Sequence, residues 1–282
     1  MSFVAPGSFI NRRFVAPGAE VNTGRYETHP VTVRDARSIA ERFTLDDNGF
    51  VLAQHRSAVT DFHDAEQVDA VYPAEAEALV RRLTGADRVT SRGWMIRTSG
   101  PLPARERKVV GYAHRGGVQP PASEAHVDFT PATAERMAAT VHAESFPGAP
   151  PYSRFIASSL WRAFSEPPQD WPLALCDGAT VGRDEGTTNA LFIVDEIPDE
   201  DEMLGAIPGE EDAITASIFH YNPAHRWWYF SNMTPDEVIL LKFHDSDPGK
   251  ACRVPHTAFR DPSFPDARAR QSIEFRTFAF FD

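Results

Sequence analysis

The chain has 282 residues, 42% of them hydrophobic and 11% aromatic, a composition that supports a folded core and excludes an intrinsically disordered protein. Its formal charge of −12, from 28 Lys+Arg against 40 Asp+Glu, leaves no basic face for nucleic acid or an anionic membrane as a main partner. Only Cys176 and Cys252 are present, which excludes a disulfide framework and a cysteine zinc site and points to a reducing compartment, the cytoplasm.

In chain order, "FVAPG" occurs at 3–7 and again at 14–18, too few copies for a solenoid, and reads as coincidence or an edge-strand arm. The same opening segment lacks the continuous apolar run of a signal peptide, and no stretch approaches the roughly 18 apolar residues of a membrane span. "TVRDARSIAERF" from Thr32 and "YPAEAEALVRRLTG" from Tyr72 read as helices, the second with Pro73 in its first turn and Gly85 as its stop. Beyond residue 88 the pattern changes to short β-branched and aromatic runs such as "DRVTSRGWMIRTSG", "KVVGYAH", "RFIASSLWRAF", "NALFIVDEI", "EVILLKFHDS" and "QSIEFRTFAFF", divided by Pro, Gly, Asp or Asn. One helix interrupts them, "PATAERMAATVHAES", with Thr130 as its cap and Pro131 at its first position. Many short strands around one helix predict a mainly β sandwich or closed barrel, not a βαβ fold. We read residues 1–282 as a single domain, with an extension over 1–88 packed on a core over 89–282. The acidic run "DEIPDEDEMLGAIPGEED" predicts a solvated, mobile loop at the barrel rim, long enough to act as a lid.

Chemistry concentrates in "SEAHVDFTP". Glu124, His126 and Asp128 alternate there with Ala125, Val127 and Phe129, the period of a strand with one polar face, so His126 and Asp128 point the same way. His142 and Glu144 share the spacing but fall in the predicted helix, where such residues do not converge. The first pair is either a histidine bonded to its strand neighbour or two ligands of a facial triad, which needs a second imidazole. Among the later histidines, His256 is followed by R-x-S, as Arg270 and Ser272. An arginine fork with a hydroxyl two residues on suits the far carboxylate of a 2-oxo-diacid, although an exposed strand start explains the same residues. Arg162, next to Trp161, could bind an acidic substrate group or pair with an internal carboxylate. "HRWWYF" divides between two strand faces, so half of it belongs to core, and Lys242 and His244 read as structural.

H-x-D, a distant His and then R-x-S is the order that iron(II)/2-oxoglutarate-dependent oxygenases show. The tail "HYNPAHRWWYFSNMTPDEVILLKFHDSDPGKACRVPHTAFRDP…RQSIEFR", with "SLWRAF" and "PLALCD", resembles the hydroxylase/desaturase family that includes gibberellin desaturase-like proteins and the small subunit of cephamycin methoxylation; the likeness runs from about residue 90 to 282. The resemblance implies a double-stranded β-helix core (jelly-roll, cupin-like) with flanking helices, iron on His126, Asp128 and His256, and the 2-oxoglutarate carboxylate on Arg270 with Ser272. It also implies Tyr112 as a cosubstrate contact, Trp161 and Arg162 at the substrate, O2 as the second cosubstrate, and hydroxylation or desaturation of a small secondary metabolite with succinate and CO2 as co-products. Two departures bear on this assignment. Ala163 follows Trp161-Arg162 where family members often have proline, and a long interval from His256 leaves Arg276 as a rival to Arg270. Two other readings stay open: a cupin-like metal protein that does not use 2-oxoglutarate, and a non-catalytic partner subunit of a biosynthetic enzyme.

Overall fold

Strand Arg154–Ala163 shows how the sequence builds the layers. After Arg154 every residue in it is buried. Phe155, Ala157, Trp161 and Ala163 belong to one apolar layer, while Ile156 and Leu160 belong to another. A strand apolar on both sides needs cover on both sides. In the computed structural model, which describes residues 1–16, 19–101 and 118–282, one cover is a second sheet and the other is the helix Ala65–Thr84.

The first sheet has six strands, in the order Phe50–Gln54, Glu237–Asp245, Arg154–Ala163, Gln271–Phe281, Arg88–Thr98 and Val118–Gln119. The second has nine, in the order Ala19–Asn22, Arg12–Ala16, Thr187–Ile193, Ile214–Ile218, His126–Val127, His256–Ala258, Leu173–Cys176, Trp227–Tyr229 and Val33–Asp35. Packed face to face, the two sheets form the double-stranded β-helix core, and helix Pro131–Ser145 adds Ala134, Ala138 and Val141 to the layer between them. The first 88 residues both extend and cover these sheets: three of their strands lie at edges of the nine-stranded sheet or one strand in from one, another edges the six-stranded sheet, and the helix lies on its outer face. The second "FVAPG" segment supplies one of them, Arg12–Ala16, which runs parallel to Thr187–Ile193.

Three local expectations change. The helix expected from Thr32 is a strand, Val33–Asp35, paired with Trp227–Tyr229, followed by the 3-10 turn Arg37–Arg42. That turn buries no residue, so no apolar stripe holds a longer helix in place. The helix expected from Tyr72 begins at Ala65, where the Asp64 side chain accepts from the backbone N–H of Glu66 and Gln67, and Pro73 lies inside it. Burial of Val68, Tyr72, Ala76, Leu79 and Val80 outweighs the one backbone bond that Pro73 cannot make. Residues 195–212 are not a bare loop. They contain the helical turn Glu200–Leu204 with an Asp199–Glu202 capping box, and the buried Arg12 holds them through the carbonyls of Met203 and Gly205, each at 2.6 Å, and the carboxylate of Glu210. "KVVGYAH", with Tyr112, lies outside the described residues. Among the described residues no helix is long and apolar enough to cross a membrane.

Candidate active site

His126 and His256 sit directly opposite one another on adjacent antiparallel strands. Cross-strand partners have Cβ atoms about 5 Å apart, and here the two ring centroids are 4.5 Å apart. Asp128 follows His126 on the same face, so a single cross-strand step and a single i, i+2 step collect three donors. Their potential ligand atoms all lie within 4.8 Å of one another. Asp128 Oδ1 is 3.5 Å from His126 Nε2 and 3.7 Å from His256 Nε2. Each imidazole also donates Nδ1–H to the carbonyl two residues before it, Glu124 at 2.9 Å and Val254 at 3.0 Å. These bonds fix the neutral tautomer and leave both Nε2 lone pairs facing the aspartate. Burial, and then the proximity of His126, pulls the His256 pKa down to about 4, so this ring is neutral. Burial opposes charge on His126 as well, but the hydrogen bond and charge of Asp128, with Glu124, outweigh it and raise the pKa.

Beside the imidazoles, a narrow cavity of about 20 Å³ is lined by His126, His256, Ser159, Trp161 and Arg270. Arg270 is 1% exposed, stacks over Trp161 with its Cζ 5.6 Å from the ring centroid, and has no hydrogen-bond partner for Nε or Nη2. The Ser272 hydroxyl is also buried and unpartnered. Burial, followed by the neighbouring Arg97 charge, lowers the Arg270 pKa to about 9, and the opposing charges of Glu274 and Asp170 do not offset it. Buried donors are almost always satisfied in native proteins, so the two unpartnered nitrogens of Arg270, which lines the narrow cavity, mark a site for an acceptor the chain does not itself supply. The donor set therefore fits a carboxylate held away from two imidazoles and an aspartate.

The family described as "Oxidoreductase/YMDC permease-like domain" matches residues 4–280. Two similar proteins are the hydroxylase/desaturase efuI of Hormonema carpetanum, 31% identical over 92% of this chain and 85% of its own length, and the Fe(II)/2-oxoglutarate-dependent dioxygenase nvfI of Aspergillus novofumigatus, 30% identical over 94% and 87%. The chain belongs to the iron(II)/2-oxoglutarate-dependent hydroxylase/desaturase family. Its structure is also similar to that of the iron and alpha-ketoglutarate-dependent endoperoxidase NvfI, with a TM-score of 0.75 and 27% identity, covering 100% of this chain and 96% of that one. The protein is thus an oxygenase that works with Fe(II), 2-oxoglutarate and O2 on a small molecule.

In this oxygenase the His126–Asp128 face also opens onto a larger cavity, of about 420 Å³. Val15, Leu191, Ile193, Ile214, Ala216 and Ile218 form much of its apolar wall, drawn from three neighbouring strands of the nine-stranded sheet. Arg97 and Arg276 line it as well. Arg276 is not a second free arginine. It binds Asp128, and Glu274 links it to Arg97.

The substrate role expected for Arg162 is not supported by its position. Arg162 points to the opposite side of its strand, where it donates to Tyr72 Oη at 3.1 Å, to the carbonyls of His55 and Pro235, and to His55 Nδ1 at 2.6 Å. One step along a strand reverses the face, so Trp161 lines the narrow cavity while Arg162 lies under the outer helix. None of the "HRWWYF" residues lines either cavity; Trp227 and Phe230 are core. Lys242 is buried in an ion pair with Asp245, and His244 is buried against Phe155.

Proposed function

We propose that His126, Asp128 and His256 hold the iron(II), that Arg270 with Ser272 binds the far carboxylate of 2-oxoglutarate, and that the larger cavity takes a mostly apolar small molecule for hydroxylation or desaturation. The observation that carries this reading is the pair of orphaned donors on Arg270, which lines a narrow cavity that His126 and His256, two of three convergent ligand residues, also line. Two imidazoles and one carboxylate on one face suit iron(II) and leave positions open for other ligands. Iron(II) in such a site supplies the oxidation of an unactivated C–H bond, coupled to conversion of 2-oxoglutarate and O2 to succinate and CO2. The chain's own residues do the rest. Backbone carbonyls of Glu124 and Val254 orient the two rings. The Arg270 fork fixes one end of the diacid, and Trp161 walls its channel against water. At about 20 Å³ that channel holds about one water, so the lining side chains part as the five-carbon diacid enters.

The apolar wall favours a compact hydrocarbon-rich substrate, and the acidic surface of a −12 chain argues against nucleic acid or an anionic membrane. Two free, buried cysteines accord with a cytoplasmic location. Anaerobic titration tests the assignment. Fe(II) with 2-oxoglutarate should give the weak visible charge-transfer band of the chelate in the native protein, and His256→Ala should bind no iron while keeping its far-UV spectrum. Iron binding without the band would rule out 2-oxoglutarate at this site, and normal turnover by His256→Ala would rule out the ligand.

A further inference from the structure

Asp128 divides its two oxygens between two neighbours. Oδ1 faces His126 and His256, while Oδ2 receives Nε of Arg276 at 2.8 Å and lies 2.6 Å from its Nη2. A free arginine–carboxylate pair more often spreads two parallel N–H bonds over both oxygens. Here both nitrogens converge on one. Arg276 is held in turn by Glu274, whose carboxylate lies 3.5 Å from Nη2 and accepts from Arg97 at 3.0 and 3.2 Å. The backbone is irregular at the same point: the register against Arg88–Thr98 shifts between Phe275 and Thr277, opposite Gly93 with φ of 75°. Such irregularities often re-aim a side chain.

We propose that Arg276 is a positioning residue that restricts Asp128 to ligation through Oδ1 alone, so that the second carboxylate oxygen does not occupy a metal position needed by the cosubstrate. This rests on the metal assignment above. Arg276 also withdraws negative charge from the ligand, so the clamp weakens metal binding while it favours cosubstrate binding. A merely structural arginine predicts the opposite pattern, because its loss would loosen Asp128 and lower both affinities.

Cobalt(II), which is not oxidised under assay conditions, provides the probe. The native protein should bind Co(II) and then 2-oxoglutarate. Arg276→Gln should bind Co(II) about tenfold more tightly, since a neighbouring positive charge is gone. Its visible d–d bands should shift, and its Co(II) form should bind 2-oxoglutarate at least about tenfold less tightly, one position being filled. Arg276→Lys keeps the buried charge beside Glu274 and donates from one point, so its spectrum should stay near the native one; it carries the test if the Gln variant does not fold. A folded Arg276→Gln protein that binds Co(II) more weakly, or that keeps the native Co(II) spectrum and native 2-oxoglutarate affinity, overturns the clamp, and so does a folded Arg276→Lys protein that loses affinity for Co(II). Failure of the native protein to bind Co(II) at all overturns the metal assignment itself.

Discussion

Arg162 and Arg270 are both 1% exposed, and both stack on aromatic rings. Their surroundings differ in one respect. Under the outer helix, Arg162 meets a phenol, two carbonyls and an imidazole that together use all three of its nitrogens. Between the sheets, Arg270 is left with Nε and Nη2 unpartnered. Burial alone does not separate the two; the completeness of their hydrogen bonding does, and the proposed cosubstrate role of Arg270 rests on it.

Exchanging the two roles by mutation should expose this difference. Arg162→Met should destabilise the protein by about 3 kcal/mol, because bonds from a charged donor are lost and the His55 and Pro235 carbonyls are stranded. Urea unfolding would measure it, with 2-oxoglutarate affinity of the folded protein unchanged. Arg270→Lys should do the reverse: cosubstrate affinity should fall by about 2–3 kcal/mol, roughly 30- to 150-fold, with the unfolding midpoint hardly moved. If Arg270→Lys melted early with its cosubstrate affinity intact, the contrast would collapse. Arg12 is another arginine with its donors engaged, so Arg12→Ala should cost about 1–2 kcal/mol and speed proteolysis within residues 195–212. Unchanged cleavage would mean that the segment is held by something else. The smallest effect belongs to Ser272→Ala, which should weaken 2-oxoglutarate binding by about 1 kcal/mol, roughly fivefold, in calorimetric titration.

Strand alternation alone places His126 and Asp128 on a common face, and that face stands in the structure. Local pattern could not show that His256 lies across from His126, because that pairing joins residues 130 positions apart; only the family resemblance suggested it. Nor could it separate Arg162 from Arg270. Each is a polar residue in or beside an apolar strand, and what completes Arg162 comes from Tyr72, His55 and Pro235, all distant in the chain. The same holds for Arg276, in sequence a rival to Arg270: its shortest contacts run to Asp128, 148 positions away. For the helix at Ala65 the sequence carries a signal, since Asp64 followed three residues later by Gln67 is a capping pattern, but Pro73 competes with it as a first-turn residue.

Strand Gln271–Phe281 pairs on one side with Arg154–Ala163 and on the other with Arg88–Thr98. Because synthesis proceeds from the N-terminus, the six-stranded sheet has a gap at its centre until this segment has been made. The neighbouring strands cannot join to each other in the meantime without excluding it. Assembly of the sheet is therefore a late, long-range event, of the kind that closes slowly and leaves strand edges exposed to aggregation while it waits. The same segment brings in Ser272, Glu274 and Arg276, and the backbone N–H of Arg270 is tied to Ser99 and Asp170 just before it. Closure of the sheet and placement of the proposed cosubstrate anchor are thus one step.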